Sequence, residues 1–172
     1  LDVNGLAKKT AQSAGAELIG FTRLGDERVV VLGYPGNGCI DLAELDKKAG
    51  RVVEEFEKLG FASRIISARN GGGVSLRTLA QDAGLGFVGR SGLLISQKYG
   101  PRLRLSAVAT SAPLTVAENT GASDGCSGCA ICESACPSDA IKHKSIEMCK
   151  SHVDLQADGR CTICVDLCPY PR

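Results

Sequence analysis

Eight of the nine cysteines fall between Cys126 and Cys168, and their spacing is the strongest chemical signal in the sequence. "CSGCAICESACP" (126–137) reads C-x2-C-x2-C-x3-C-P. "CTICVDLCP" (161–169) reads C-x2-C-x3-C-P, and Cys149 supplies a further thiol upstream. A cube of four irons needs one thiolate per iron. Short C-x2-C loops let three thiolates wrap one cube while backbone N–H groups turn toward its sulfurs. The fourth cysteine, before proline, points to the other cube. Proline ends the loop and removes a competing donor. Crossed ligation then assigns Cys126, Cys129, Cys132 and Cys168 to one [4Fe–4S] cluster, and Cys136, Cys149, Cys161 and Cys164 to the other. Zinc also uses paired C-x2-C segments, but a four-ligand ion leaves the long pattern unexplained. A disulfide scaffold is the habit of short secreted chains; these thiols crowd the last quarter of an otherwise ordinary sequence. Two cubes in tandem imply one-electron transfer.

A second stretch, Gly84-Leu85-Gly86-Phe87-Val88-Gly89, matches the dinucleotide fingerprint G-x-G-x-x-G. That fingerprint needs a strand before it, a helix after it and an acid about 20 residues on. Here a helix precedes it, the β-like "SGLLIS" follows, and no acid lies between Asp82 and Glu118. Gly84 reads as the residue that ends the preceding helix. Arg90, Lys98, Arg102 and Arg104 make the following segment basic, and glycines beside such side chains suit close approach to a large, partly anionic ligand.

The elements that must position these groups are legible from periodicity. Helices are expected at 2–15, 41–59 and 75–83, with Asp41 and Ser75 as N-caps and Gly60 stopping the second. Glu44 completes a capping box with Asp41. Strands are expected at 17–24, 28–35, 61–68, 92–96 and 102–110. The run "RVVVLGYP" reads as a buried strand. In "RLRLSAVAT" the residues Leu103, Leu105, Ala107 and Ala109 alternate with Arg102, Arg104, Ser106 and Thr110, so one face packs and the other is cationic. Residues 1–112 therefore form one α/β domain, 113–125 ("PLTVAENTGASDG") a linker, and 126–172 a cysteine domain. Cys39 stands apart in a Gly-rich turn and reads as an inert small side chain. Tyr34 reads as packed, and His143 and His152 as surface residues.

The net charge of +1 gives no reason to expect a nucleic-acid partner. No apolar run approaches a membrane span, and "LDVNGLAKKT" lacks the apolar stretch of a secretion signal; a cytoplasmic location is expected.

Taken with the double cysteine pattern ending "CPYPR", the segment "LAQDAGLGFVGRSGLLISQKYGPRLRLSAVATSAPL" resembles the epoxyqueuosine reductases and the related reductive dehalogenases. The resemblance covers roughly residues 75–172, and 1–74 in element order. It implies an α/β (α+β) N-terminal domain of nitroreductase-like fold that cradles a cobalamin. Beside it would sit a bacterial-ferredoxin-like domain whose two clusters pass electrons to cobalt, for reduction of an epoxide or a halide. Gly84, Gly86, Gly89, Arg90, Ser91, Arg102 and Arg104 would then meet the corrinoid. The family's Asp-Tyr-His motif corresponds to Asp41-Leu42-Ala43, which makes Asp41 the candidate proton donor as well as a helix cap. FMN in place of the corrinoid is the alternative cofactor, its phosphate met by the basic residues of 90–104. The expected function is an iron–sulfur oxidoreductase; the alternative is a ferredoxin-type electron-transfer protein without substrate chemistry of its own. Either requires a redox partner protein, and a homodimer that completes the short first domain is expected.

Overall fold

In a computed structural model, residues 2–36, 41–67, 73–116 and 125–171 are described. The sheet that carries the rest is four-stranded and antiparallel throughout. It comprises β1 (Leu18–Leu24), β2 (Glu27–Pro35), β3 (Ser63–Ile66) and β6 (Leu103–Thr110), in the order β1-β2-β6-β3. The mixed helix-and-strand class expected from the sequence holds.

β2 lies inside the sheet, which explains its uninterrupted apolar run. Val30, Leu32 and Tyr34 face one side with Val108, under α1 (Val3–Ser13) and α2 (Leu42–Lys58). Val29 and Val31 face the other side with Ala107 and Ala109, against α3 (Leu76–Asp82) and Leu94. Leu94 belongs to β5 (Leu94–Ile95), which pairs with β4 (Phe87–Val88) in a separate hairpin. Two layers of helix and hairpin thus enclose the sheet. α2 buries Leu45, Ala49, Val52 and Phe56 at helical spacing.

The helix ends follow local chemistry. Asp2, Asp41 and Ser75 cap the first three helices by accepting from Gly5 N, Ala43 N and Thr78 N. Glu44 does not reach back to complete a capping box; it pairs with Lys48 at 3.4 Å. Gly84 has φ +75°, its N–H reaches Gln81 O at 2.9 Å and that of Leu85 reaches Ala80 O at 2.9 Å. These two bonds make the Schellman stop that a glycine in the left-handed region permits.

Two expectations change. The polar face of β6 is not a cationic surface: Ser106 and Thr110 are buried, and the Thr110 Oγ1 accepts from the Ser63 hydroxyl at 2.8 Å and from Ala112 N at 3.1 Å. The segment from Pro113 does not leave the domain at once. Leu114 is buried, and Asn4 exchanges two 2.9 Å hydrogen bonds with Thr115. Residues 117–124 of the expected linker, and Cys39, lie outside the described residues.

The cysteine-rich part contains α4 (Ile131–Ser134), α5 (Ile146–Asp154) and α6 (Ile163–Asp166), with no strand among its described residues. Across 125–171 only Cys126 and Ala140 are buried. No described helix is long and apolar enough to cross a membrane.

The α/β core depends on few large side chains, so truncating one is severe. Phe56→Ala should cost about 3–5 kcal/mol through lost burial and a residual cavity. Urea unfolding should show this as a lower midpoint with an unchanged slope.

Candidate metal centre

The repeat seen in the sequence is also a structural repeat: Cys132 lies on α4, Cys164 on α6, and the two short helices pack together. All eight thiols are free of disulfide bonds. Their electrostatics sort them into sets. Burial, then the neighbouring Cys126 and Cys129, hold the Cys132 thiol above its ordinary value. Burial, then Cys161 and Cys136, do the same for Cys149. Cys164 is pushed up to about 11, first by burial, then by Cys161, Cys149 and Cys132. Cys126, Cys129 and Cys132 thus form one neighbourhood, and Cys136, Cys149, Cys161 and Cys164 another, with Cys132 and Cys164 at the boundary.

Cys136 differs. Burial acts against its thiolate, but the backbone groups of Ile141, Ser138 and Ala140 and the Ser138 hydroxyl outweigh it and lower the pKa.

The chain around Cys168 is tied to the chain before Cys126. The Tyr170 hydroxyl donates to Gly125 O at 2.5 Å, so the residues next to Cys126 and those just past Cys168 are tied together. The Tyr170 ring meets Phe87 edge-on, with centroids 5.4 Å apart. Among the described residues, no group of three or more His, Cys, Asp or Glu converges tightly enough to hold a single metal ion.

The basic, Gly-rich segment serves this centre directly. A Cβ on Gly89 would sit 3.1 Å from Cys126 Sγ and 2.8 Å from the Ile95 side chain; one on Gly86 would collide with the Ile95 carbonyl. Arg90 pairs with Glu133 of α4 at 3.4 Å. The Arg102 guanidinium donates to Val165 O at 2.8 Å and Pro171 O at 3.1 Å, and to Asp166 O and Tyr170 O at 3.4 Å. These carbonyls bracket Cys168, and two belong to the C-terminal end of α6, where a cation is favourable.

Of the seven residues expected to meet a cofactor, Gly84 ends α3, and Gly86, Gly89, Arg90 and Arg102 have close partners within the protein. Ser91 is half-buried in the β4–β5 turn. Arg104 lines a cavity of about 390 Å³ with Leu42, Leu45, Arg77 and Leu94. Asp41 stands one residue before Leu42, exposed, with Oδ1 accepting from Ala43 N at 3.0 Å. Sequence reading missed the clasp by Arg102 and the Phe87–Tyr170–Gly125 contact. An arginine two residues past a glycine turn offered no sign of partners more than 60 positions away.

No protein-family model matches the chain. The tetrachloroethene reductive dehalogenase of Desulfitobacterium hafniense is 31% identical over 162 residues, covering 80% of this chain and 28% of that protein. The epoxyqueuosine reductase of Aliivibrio fischeri is 28% identical over 147 residues, covering 75% of this chain and 38% of that one. The solved structure of epoxyqueuosine reductase from Streptococcus thermophilus matches with a TM-score of 0.76 at 18% identity, over 99% of this chain and 66% of that one, a likeness of fold. The chain spans well under half the length of these two curated relatives.

Arg102→Ala should lower stability by about 2 kcal/mol, the scale of hydrogen bonds from a charged donor. Arg102→Lys should recover only part of it, because an ammonium lacks the planar fork. Urea unfolding of the three proteins checks both.

Proposed function

We propose that this chain, a relative of the reductive dehalogenases and epoxyqueuosine reductases, is an oxidoreductase module that passes single electrons through two [4Fe–4S] clusters toward chemistry on its α/β domain. The observation that supports the reading is the grouping of seven thiols into two neighbourhoods, with the chain just past Cys168 tied to the residue before Cys126 by the Tyr170–Gly125 bond. Thiolates that feel one another without converging on one ion suit a cube, whose irons take one thiolate each. Cys126, Cys129, Cys132 and Cys168 would hold one cluster, and Cys136, Cys149, Cys161 and Cys164 the other; when bound, these supply one-electron carriage.

The chain's own groups do the rest. Backbone donors beside Cys136 stabilise its thiolate. Gly89 gives Cys126 room, and Arg102 fixes the loop of Cys168 against β6. On this reading the residues up to 116 are the acceptor's domain, 126–172 the electron-carrying domain, and the stretch between them a connector. Asp41, with one oxygen bound to its helix, keeps a second oxygen for a proton near the 390 Å³ cavity.

The relationship raises a corrinoid as the electron acceptor. The described residues do not form a site for one: a cavity of about 390 Å³ is the size for a small organic molecule, and most of the residues expected to meet the corrin are engaged within the protein. No step is therefore assigned to it.

Anaerobic reconstitution with iron and sulfide should give a brown protein with about eight irons per chain and broad absorption near ~400 nm. Cys129→Ser and Cys161→Ser should each retain about four. A colourless protein holding two zincs overturns the reading. Chelating the iron should remove amide protection from residues 125–171 and leave that of β2 and β6 intact, as read by hydrogen exchange.

A further inference from the structure

The two cysteine repeats run into different turns. In the first, Cys136 and Pro137 lead into Ser138, Asp139, Ala140 and Ile141. In the second, Cys168 and Pro169 lead into Tyr170 and Pro171. Ser138 therefore corresponds to Tyr170, and Asp139 to Pro171.

The first turn closes around its own cysteine. The Asp139 N–H donates to Cys136 O at 3.2 Å, and Asp139 has φ +52°. That left-handed conformation is uncommon for a residue with a side chain, and aspartate is among those that accept it. Ser138 sits inside the bend. Its Oγ lies 3.6 Å from Cys136 Sγ, within hydrogen-bond reach of a sulfur, and both residues are half-buried. Burial disfavours the Cys136 thiolate, but the Ile141 N–H, the Ser138 hydroxyl and the N–H groups of Ser138 and Ala140 outweigh it. N–H groups gathered at such a bend form a concavity for negative charge. A sulfur bound to iron carries no proton, so the hydroxyl is then the donor.

The second turn sends its polar groups elsewhere. Pro171 has no N–H, so the bond that Asp139 makes has no counterpart. The Tyr170 hydroxyl donates to Gly125 O at 2.5 Å. The carbonyls of Tyr170 and Pro171 accept from Arg102.

This difference bears on electron transfer. A reduced cluster carries one more negative charge than an oxidised one, and its ligand sulfurs share that charge. A donor aimed at such a sulfur favours the reduced form, and hydrogen bonds to sulfur are among the factors that set the potential. We propose that Ser138 is a positioning residue that donates to the Cys136 sulfur and so raises the reduction potential of the cluster Cys136 helps to hold, without acting on the other cluster. The inference rests on the two-cluster reading. One electron enters from an external one-electron reductant; no bond forms or breaks, and the hydroxyl keeps its proton.

The test is a potential titration of the reconstituted chain with dithionite and redox mediators, followed by electron paramagnetic resonance. Ser138→Ala should make reduction of one cluster about tenfold less favourable, a fall of about 59 mV for one electron. The other cluster should not move. Ser138→Thr keeps the hydroxyl and should keep both potentials. Cys129→Ser, which should retain only the cluster of Cys136, identifies the one that moves: Ser138→Ala should lower its potential there too. In Cys161→Ser, which should retain the other cluster, Ser138→Ala should change nothing. Unchanged potentials with the iron retained would overturn the role of Ser138 and leave the clusters standing. So would equal shifts of both clusters, or loss of iron from the Ser138→Ala chain, which would mark a merely structural role. A chain that takes up no iron would overturn both readings.

Discussion

Residues 125–171 bury two side chains, Cys126 and Ala140, and that shortage governs how the molecule is built. A segment of this length has no apolar core to offset its conformational entropy. Thiols set close together add a further cost. Burial and mutual repulsion raise Cys132, Cys149 and Cys164, so ionising them without a counter-charge is unfavourable. On the two-cluster reading, iron would remove both difficulties at once, because it takes the thiolate form and ties distant residues together. The clusters would then be the core of this half of the chain as well as its chemistry.

Bonds to iron fix the inside of such a segment but not its position on the rest of the protein. That task falls to a few directed contacts. Arg102 extends from the start of β6, a strand paired on both sides, and its fork is matched to carbonyls on each side of Cys168. The β4–β5 hairpin supplies the other contact, where Gly89 allows Cys126 to approach and Phe87 meets Tyr170.

How much of this could be read in the sequence depends on the range of the interaction. α2 was legible because its apolar period, its Asp41 cap and its Gly60 stop are all local. The run Val29–Leu32 announced burial on both faces, and the cysteine spacing announced two ligand sets. Gly84 was legible as a helix stop for the same local reason. The roles of Arg102 and Gly89 were not, because their partners lie far along the chain. The structure gives both of them protein partners. The alternation in β6 misled in a related way. Ser106 and Thr110 are polar yet buried, and Ser63 and the turn at Ala112 satisfy Thr110 from outside the strand. Pattern alone cannot separate a solvated polar residue from a buried one with a partner.

The same contacts make the cysteine segment asymmetric. One thiol set is pressed onto the sheet domain through Cys126 and the clasped chain around Cys168; the other ends at a helix open to solvent. Two cubes of the same kind would be equivalent in isolation. Burial, hydrogen bonds to sulfur and solvent access set the potential of each. Cys136, with its converging donors, and Cys149, exposed on α5, share a set with Cys164, which burial pushes up to about 11. Cys126 is buried against Gly89 and Ile95. On the two-cluster reading, the way the segment is docked would set the two ends of an electron path apart without any difference in ligand type. The Gly-rich loop that resembles a dinucleotide fingerprint does its work here: it shapes the wall against which Cys126 rests.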